Sequence, residues 1–390
     1  EKPFAGVNGS GKHNNWSLTS DDGVNLLDPG KNPHENKMLL LVLACILKAV
    51  DEHADLLRVS AADVGNDQRL GGNEAPPAVI SVFLGDQLED VLDQILKNGE
   101  ATHSIKGEKF ATGVTTLPDF RKDATDRNRT SPFAFTGNKF EFRMLGSQDS
   151  LSNCNVVLNT IAAEAFEEAC DRLEKAEDFD KELNALIVEY TEKHKRIIFS
   201  GNGYSKEWQE EAKRRGLPNL PTMVDAIPAL TTDAAIDMFE HFKVFTKAEL
   251  EARAEIQYEI YAKAINIEAR TMIDMATKQI IPAVVKYTTV LAESVNQVRA
   301  AGKIYNVSVQ EKLLEKTSAL LAESYEALNH LAEVTAEIEK KEEGPERARY
   351  CLDVIMPAMT ELRTPVDAVE MVVDKEMWPM PSYGDLMFIL

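Results

Sequence analysis

The sequence has few cysteines, a deficit of basic residues and no long apolar run. Its 4 cysteines stand far apart, and none forms the CxxC pair that would bind zinc or carry redox chemistry. Scattered free thiols in a chain of 390 residues are typical of a reducing compartment, so we expect a cytoplasmic protein. The cysteines are Cys45, Cys154, Cys170 and Cys351.

Charge and hydropathy argue against two broad classes of partner. With 43 Lys and Arg against 64 Asp and Glu, the formal charge of −21 opposes nucleic-acid binding, because that affinity depends on neutralising phosphates. The most apolar stretch, 38–50, is interrupted by Lys48 and falls short of the roughly 20 apolar residues that span a bilayer. We therefore expect no nucleic-acid partner and no membrane partner.

The amino-acid composition and the spacing of apolar residues change near residue 150. The first part is rich in Gly, Pro and Asn, and its apolar spacing predicts helices over 34–57 and 86–96. Phenylalanines alternate with charged residues over 140–144, which predicts a strand. The second part reads as helical, with predicted helices over 151–176 and 178–197 and a loop-rich connection over 200–231.

A capping box opens a long helix in the last third of the chain. Thr246 and Glu249 have the spacing at which both side chains satisfy the free amides of a first helical turn. The helix is predicted to run to Gly302 with a kink at Pro282, and a second helix with an apolar seven-residue repeat is predicted over 307–343. Two such helices pack as an antiparallel hairpin, which we interpret as a scaffold or an oligomer contact rather than a cofactor site.

The glycine-rich motif near the start, NGSGKH over residues 8–13, has two interpretations when it is taken alone. Gly6, Gly11 and Lys12 have the spacing of a phosphate-binding P-loop, but His13 stands where that loop needs a magnesium-binding hydroxyl. The other interpretation is a glycine turn with an exposed histidine. Because a folded enzyme rarely begins one turn before its most ordered loop, we also expect a chain that begins at Glu1 to be the C-terminal part of a longer protein.

Three further segments follow the glycine-rich motif in a fixed order, and together they carry a family resemblance. They are RLGGNEAP at 69–76, RNRT at 127–130 and KFEFR at 139–143. With KPFAGVNGSGKH closing on Ser17-Leu18, these segments resemble the glutamine synthetase family. The segment RNRTSPFAFTGNKFEFR and the long helical C-terminal region are most similar to the large type III branch of that family.

The resemblance implies an α+β fold and a ligase. Residues 1–176 would be the second half of a glutamine-synthetase-type catalytic sheet and helix domain, and 177–390 a largely helical C-terminal region. The implied reaction joins ammonia to L-glutamate with ATP, through a γ-glutamyl phosphate, and uses Mg²⁺ or Mn²⁺. The implied assembly is a homo-oligomer, a double hexameric ring.

The resemblance also implies roles for single residues. The metal ligands would be His13 and Glu141, and the catalytic residues Glu74, on a flap, and Arg129. The glutamate substrate would be bound by Asn8, Gly9, Arg69 and Arg143, and the nucleotide by Asn15, Ser17, Arg129 and Lys139. An arginine suits such sites because its planar fork matches phosphate and carboxylate oxygens.

The sequence departs from the family's pattern at several positions. Asn15 replaces a second histidine, Ala134 an arginine and Lys139 another arginine, and the flap before Glu74 is one residue shorter. The family's other metal-binding glutamates precede the glycine-rich motif. Two alternative functions therefore stay open, a non-catalytic assembly or regulatory member of the fold and a related γ-glutamyl-amine ligase.

Overall fold

A computed structural model describes residues 11–71, 75–104 and 128–388, together with the backbone of 109–110 and 120–121. The fold is a mostly helical α+β arrangement with a small sheet. Two compact units are present, Glu1–Ala254 and Glu255–Leu390. This boundary follows the density of contacts, whereas the family-based division at residue 176 stays a prediction. Within the described ranges no helix is both long enough and apolar enough to cross a bilayer.

The strands belong to the first unit. A four-stranded sheet has the order β1-β6-β5-β2, in which β6 lies antiparallel to both β1 and β5, and β2 pairs parallel with β5. A separate pair is formed by β3 and β4. The strands are β1 (Gly11–Trp16), β2 (Val82–Phe83), β3 (Lys109–Phe110), β4 (Phe120–Arg121), β5 (Phe133–Phe135) and β6 (Phe140–Gly146).

A β-bulge interrupts the pairing of β1 with β6. Lys12 is opposite Leu145 and Asn14 is opposite Phe142, so two residues of β6 face His13 alone. A bulge of this kind bends the strand and leaves a main-chain group without its ladder partner. The predicted strand over 140–144 is confirmed.

The core of the first unit contains a phenylalanine cluster on the sheet and one largely buried helix, α1. Phe133 and Phe140 stack with ring centroids 4.6 Å apart. The α1 helix contacts both α5 and α6. The helices are α1 (Lys37–Glu52), α2 (Ala54–Val59), α3 (Val64–Asp67), α4 (Asp86–Asn98), α5 (Leu151–Glu174), α6 (Phe179–His194), α7 (Lys206–Arg214), α8 (Met223–Ala226) and α9 (Asp233–His241).

Two sequence predictions for this unit need correction. The helix predicted over 34–57 is broken at His53, whose backbone leaves the helical region and whose Nε2 lies 2.6 Å from Glu164 Oε2. The connection predicted as loop over 200–231 contains α7, which Ser205 caps and which buries Trp208 against Phe199. In both places a tertiary contact overrides the local pattern. The predicted α4, α5 and α6 are confirmed.

The second unit is helical throughout its described part, and α10 leads into it from the first. The Thr246 capping box is present, with Thr246 N donating to Glu249 Oε2 (2.8 Å) and Glu249 N donating to Thr246 Oγ1 (3.4 Å). The helices are α10 (Lys247–Met275), α11 (Ile281–Ala301), α12 (Ser308–Ala336), α13 (Pro345–Tyr350), α14 (Met356–Glu370) and α15 (Tyr383–Met387).

The expected kink at Pro282 takes the form of a π-helical turn over Ala276–Ile280. Proline has no amide hydrogen and its ring displaces the carbonyl four residues earlier, so a wider turn accommodates it. A second π-helical turn, Cys351–Ile355, precedes Pro357 in the same way.

The second long helix is shorter than predicted. It ends at Ala336 rather than near 343, and Gly344, with φ of 88°, leads into α13. Because α12 contacts α14 as well as α11, the isolated two-helix hairpin is not confirmed.

Candidate active site

The side chains of β1 alternate between a buried face and an exposed face. Asn14 and Trp16 donate side-chain hydrogen bonds to asparagines of α5 over 2.8 and 2.9 Å, which fixes that face of the strand. His13 and Asn15 point to the opposite, exposed face. Two residues predicted to act in the site therefore lie together because of the simple period of a strand.

The two predicted metal ligands are neighbours on this face. Glu141 of β6 is paired in register with Asn15, and its Oε2 lies 3.9 Å from Nδ1 of His13. That distance is too long for a hydrogen bond, but it places an imidazole nitrogen beside a carboxylate oxygen. An imidazole with a carboxylate suits a divalent cation such as Mn²⁺ or Mg²⁺. Across the part of the chain that the structure describes, no group of three or more His, Cys, Asp and Glu side chains could hold a metal.

Arg143 orients the carboxylate of Glu141. The two residues project from the same face of β6, and Arg143 donates to Glu141 Oε2 from Nε (3.0 Å) and Nη2 (2.8 Å). Its Nη1 donates to the carbonyl of Asn128, and the residue is only 2% exposed. The guanidinium predicted to bind substrate is thus engaged with a predicted metal ligand and with the turn that carries Arg129.

Arg69 lies behind the sheet's bulge. Its Nη1 donates to Asn66 Oδ1 (3.0 Å) and to the carbonyl of Met144 (3.1 Å), and its Nη2 to the carbonyl of Arg143 (3.4 Å). These carbonyls belong to the bulged residues, so the arginine satisfies acceptors that the ladder leaves open. A Cβ on Gly11 would lie 2.0 Å from Arg69 Nη2, so any other residue there would displace the guanidinium where it crosses β1.

The turn of Arg129 is held by a loop from far along the chain. Asn128 Nδ2 donates to the carbonyls of residues 200 and 201, over 3.2 and 2.8 Å. Gly203 N donates to Thr130 Oγ1 (2.8 Å), and a Cβ on Gly203 would lie 2.8 Å from the Thr130 carbonyl oxygen. Arg129 itself is exposed. Sequence reasoning missed this support, although the closely spaced glycines at 201 and 203 were a signal.

Ser17 and Lys139, both assigned to the nucleotide, flank the end of the β1–β6 pair. Ser17 Oγ donates to Asn25 Oδ1 (3.0 Å), and Asn25 Nδ2 donates to the carbonyl of Asn138 (2.9 Å). Asn25 thus ties the segment after β1 to the turn before β6. This positioning role was not predicted, because asparagines are common in loops for purely local reasons.

Three predicted site residues, Asn8, Gly9 and Glu74, lie outside the described residues. Of the others, His13, Asn15, Glu141 and Arg143 share one region of the sheet, and Asn128 links Arg143 to the Arg129 turn. The region therefore combines candidate metal ligands with an exposed arginine suited to phosphate oxygens.

Comparison with known proteins agrees with the resemblance in the motifs. Residues 182–299 match the family model for the glutamine synthetase C-terminal domain. The chain is 40% identical over 401 residues to the type-3 glutamine synthetase of Dictyostelium discoideum. It is 41% identical over 399 residues to a glutamine synthetase of Butyrivibrio fibrisolvens and 36% over 398 residues to one of Bacteroides fragilis. All three alignments cover 100% of the chain but only 54–56% of the relative, so the chain spans about half the length of these curated relatives.

Proposed function

Because this chain belongs to the glutamine synthetase family, we propose that the protein containing it joins ammonia to L-glutamate to give L-glutamine. The reaction uses ATP and a divalent cation, Mg²⁺ or Mn²⁺, and passes through a γ-glutamyl phosphate. The observation that supports this most directly is the pair His13 and Glu141, which a register-fixed strand pair brings to 3.9 Å on one face.

The residue types suit this chemistry. A carboxylate oxygen is a poor leaving group, so the substrate's side-chain carboxyl must first accept the γ-phosphoryl group of ATP. The negative charge that develops needs cationic groups held in fixed positions. His13 and Glu141 would hold the cation, which neutralises phosphate charge when bound. Arg129, exposed on a supported turn, would contact the transferred phosphoryl oxygens.

Arg143 and Arg69 act differently from one another in this proposal. Arg143 keeps the Glu141 carboxylate in place, and a substrate carboxylate near it would share donors already engaged with Glu141 and Asn128. Arg69 supports the bulge beneath that face through main-chain carbonyls. We propose that both contribute to glutamate binding, Arg143 at the face and Arg69 by holding the strand that presents it.

The remaining assignments complete the site. Glu74 would close over it and accept a proton from bound ammonium, since a carboxylate both attracts the cation and acts as a base where water is excluded. Asn8 and Gly9 would face the glutamate. Asn15, Ser17 and Lys139 would face the nucleotide. The assembly we propose is a cytoplasmic homo-oligomer, a double hexameric ring.

The test is glutamine formation by the full-length protein with its site variants. Glu141→Gln and His13→Asn should each lower kcat by about 100-fold or more, because each removes a donor to the charge-neutralising cation. Mn²⁺ affinity measured directly should fall in both. The control is Lys181→Gln. Lys181 is exposed on α6, so this variant should retain full activity.

Three results would contradict the proposal. Full activity in both Glu141→Gln and His13→Asn would show that the site is elsewhere. Activity of the wild type with alkylamines but not with ammonia would identify a γ-glutamyl-amine ligase instead. A full-length protein that binds neither ATP nor Mn²⁺ would be a non-catalytic member of the fold.

A further inference from the structure

A cavity of about 430 Å³ lies in the first unit, apart from the predicted catalytic residues. We call it the α4–α6 cavity. One wall is the face of α4 that carries Glu89, Leu92, Asp93 and Leu96. The other is formed by the end of α6 and the segments after α6 and α7, with Thr191, Lys195, Arg196, Ile198 and Arg215. Its volume falls in the range of small-molecule sites, about 300–1,000 Å³.

The two walls differ in charge. Glu89 and Asp93 are one helical turn apart on α4, so both carboxylates face the cavity. Across from them, Lys195 is exposed, and no ion pair or hydrogen bond of its ammonium is found within the described ranges. Leu92, together with other aliphatic side chains, provides an apolar patch between the charged groups. This arrangement suits a molecule with an ammonium group, a carboxylate and an aliphatic side chain.

The buried residue Thr191 borders this cavity. Thr191 is 0% exposed, and its Oγ1 has no hydrogen-bond partner among the residues that the structure describes. A threonine in a helix usually returns its hydroxyl to the carbonyl four residues earlier. Here that bond is not made, and the hydroxyl has no exposed surface, so a ligand in the cavity would reach it only after the side chains that cover it move.

The basic wall is already fixed in place. Arg196 Nε donates to both carboxylate oxygens of Asp51, over 2.8 and 3.0 Å. Arg215 Nη1 donates to the carbonyl of Ile198 (2.8 Å), and its guanidinium lies 5.4 Å from the Trp208 ring centroid. A preformed wall lowers the entropy that binding would otherwise lose.

We propose that the α4–α6 cavity binds a small zwitterion of the α-amino-acid type with an aliphatic side chain. The ammonium group would meet Glu89 and Asp93, and the carboxylate would meet Lys195 and the Thr191 hydroxyl. This inference rests on the cavity alone and does not require that the protein makes glutamine.

The cavity also has a defined connection to the candidate active site. Ser200 donates its hydroxyl to Glu89, and the Ser200 carbonyl accepts from Asn128 Nδ2 over 3.2 Å. Asn128 precedes Arg129 in its turn. A ligand bound to Glu89 is therefore connected to Asn128, which holds the Arg129 turn, through two hydrogen bonds of Ser200.

The test is calorimetric titration of the full-length protein, without ATP, with L-leucine and its two one-charge analogues. We expect L-leucine to bind, and 3-methylbutylamine and 4-methylpentanoate to bind at least roughly tenfold more weakly, since each lacks one charged group. Lys195→Gln and Asp93→Asn should weaken L-leucine binding by a similar factor, and Lys181→Gln should not. Binding is measured without turnover, so failure of the proposed function leaves this result readable.

Thr191→Val separates a ligand role from a structural one. Valine has the same shape and removes a hydroxyl that makes no bond, so the melting temperature should stay the same or rise while L-leucine binding weakens. The proposal is overturned if no heat is seen up to about 10 mM L-leucine. It is also overturned if the analogues bind as tightly as L-leucine, or if Lys195→Gln, Asp93→Asn and Thr191→Val all bind it like the wild type.

Discussion

The sheet of the first unit and the helices of the second use buried polar groups in opposite ways. At the sheet, Arg69 and Arg143 are buried, and each donates to a main-chain carbonyl of another segment, Arg69 to that of Met144 and Arg143 to that of Asn128. In the second unit, buried Thr317 and Ser324 donate to carbonyls of their own helix, over 2.7 Å in each case. Its core is apolar, with Ile280, Val284, Val369 and Val373 in one cluster. The sheet therefore combines its phenylalanine cluster with polar contacts between separate segments, whereas these two hydroxyls of the second unit bond within their own helix.

Of the changes considered, Arg69→Met should have the largest effect on stability. It leaves the Met144 carbonyl and Asn66 Oδ1 without their charged donor in a buried place, so we expect a loss of about 2–4 kcal/mol of unfolding free energy in urea. The control is Arg270→Met in the second unit, whose exposed pair with Glu339 is 3.7 Å long and should contribute less than about 0.5 kcal/mol. Equal losses of unfolding free energy in the two variants would show that the buried arginine contributes no more than the exposed one.

Gly203→Ala tests the close approach of the loop at 200–203 to the Arg129 turn. The added Cβ would meet a main-chain oxygen at 2.8 Å, so the loop or the turn must move, at a cost of about 1–3 kcal/mol. ATP affinity of the full-length protein should fall as well if the turn positions Arg129. Gly384→Ala is the matched control, because its nearest atom, Ser382 Oγ, lies 3.6 Å from the added Cβ. An unchanged ATP affinity in a destabilised Gly203→Ala would contradict the positioning role.

Asp67 should make the first unit sensitive to pH. Burial raises its pKa from 3.8 to about 6, although the amide of Met223 and the guanidinium of Arg58 partly oppose this. The folded state then binds more protons than the unfolded state between about pH 4 and 6, so stability falls as pH rises through that window. Asp67→Asn should flatten the slope, by about 1–2 kcal/mol over the window, in urea titrations at several pH values. The control is Glu177→Gln, which removes an exposed carboxylate. An unchanged slope in Asp67→Asn would show that Asp67 does not cause the pH dependence.

Thr317→Val should have the smallest effect. The hydroxyl is buried, but it bonds to the Leu313 carbonyl of its own helix, an acceptor that the helical backbone also uses. We expect a change of less than about 1 kcal/mol in the unfolding free energy. A loss above about 2 kcal/mol would mean that polar contacts matter as much here as in the sheet.

Local signals explain the parts of the fold that the sequence predicted. The Thr246 capping box, the apolar spacing of α4 to α6 and the alternation along β6 each act within one element, and each is confirmed. The nearness of His13 to Glu141 followed from the family resemblance, and the register of β1 with β6 supplies its physical basis.

The parts that escaped prediction depend on contacts between distant residues. The link between Gly203 and Thr130 joins positions 73 residues apart, and that between Arg69 and Met144 positions 75 apart. The bulge that Arg69 supports is a property of two paired strands, so neither strand sequence shows it alone. The break at His53 likewise depends on Glu164, 111 residues away.

The two π-helical turns of the second unit have a consequence for the direction in which the following helices present their apolar faces. Each holds one residue more than an α-helical turn, and each stands directly before a residue followed by proline, Pro282 or Pro357. A single inserted residue would rotate every later side chain by about 100° in a regular helix. The wide turn absorbs that insertion locally, and the next helix keeps its apolar face toward the core. Each wide turn therefore sets the rotational position of the helix that follows its proline.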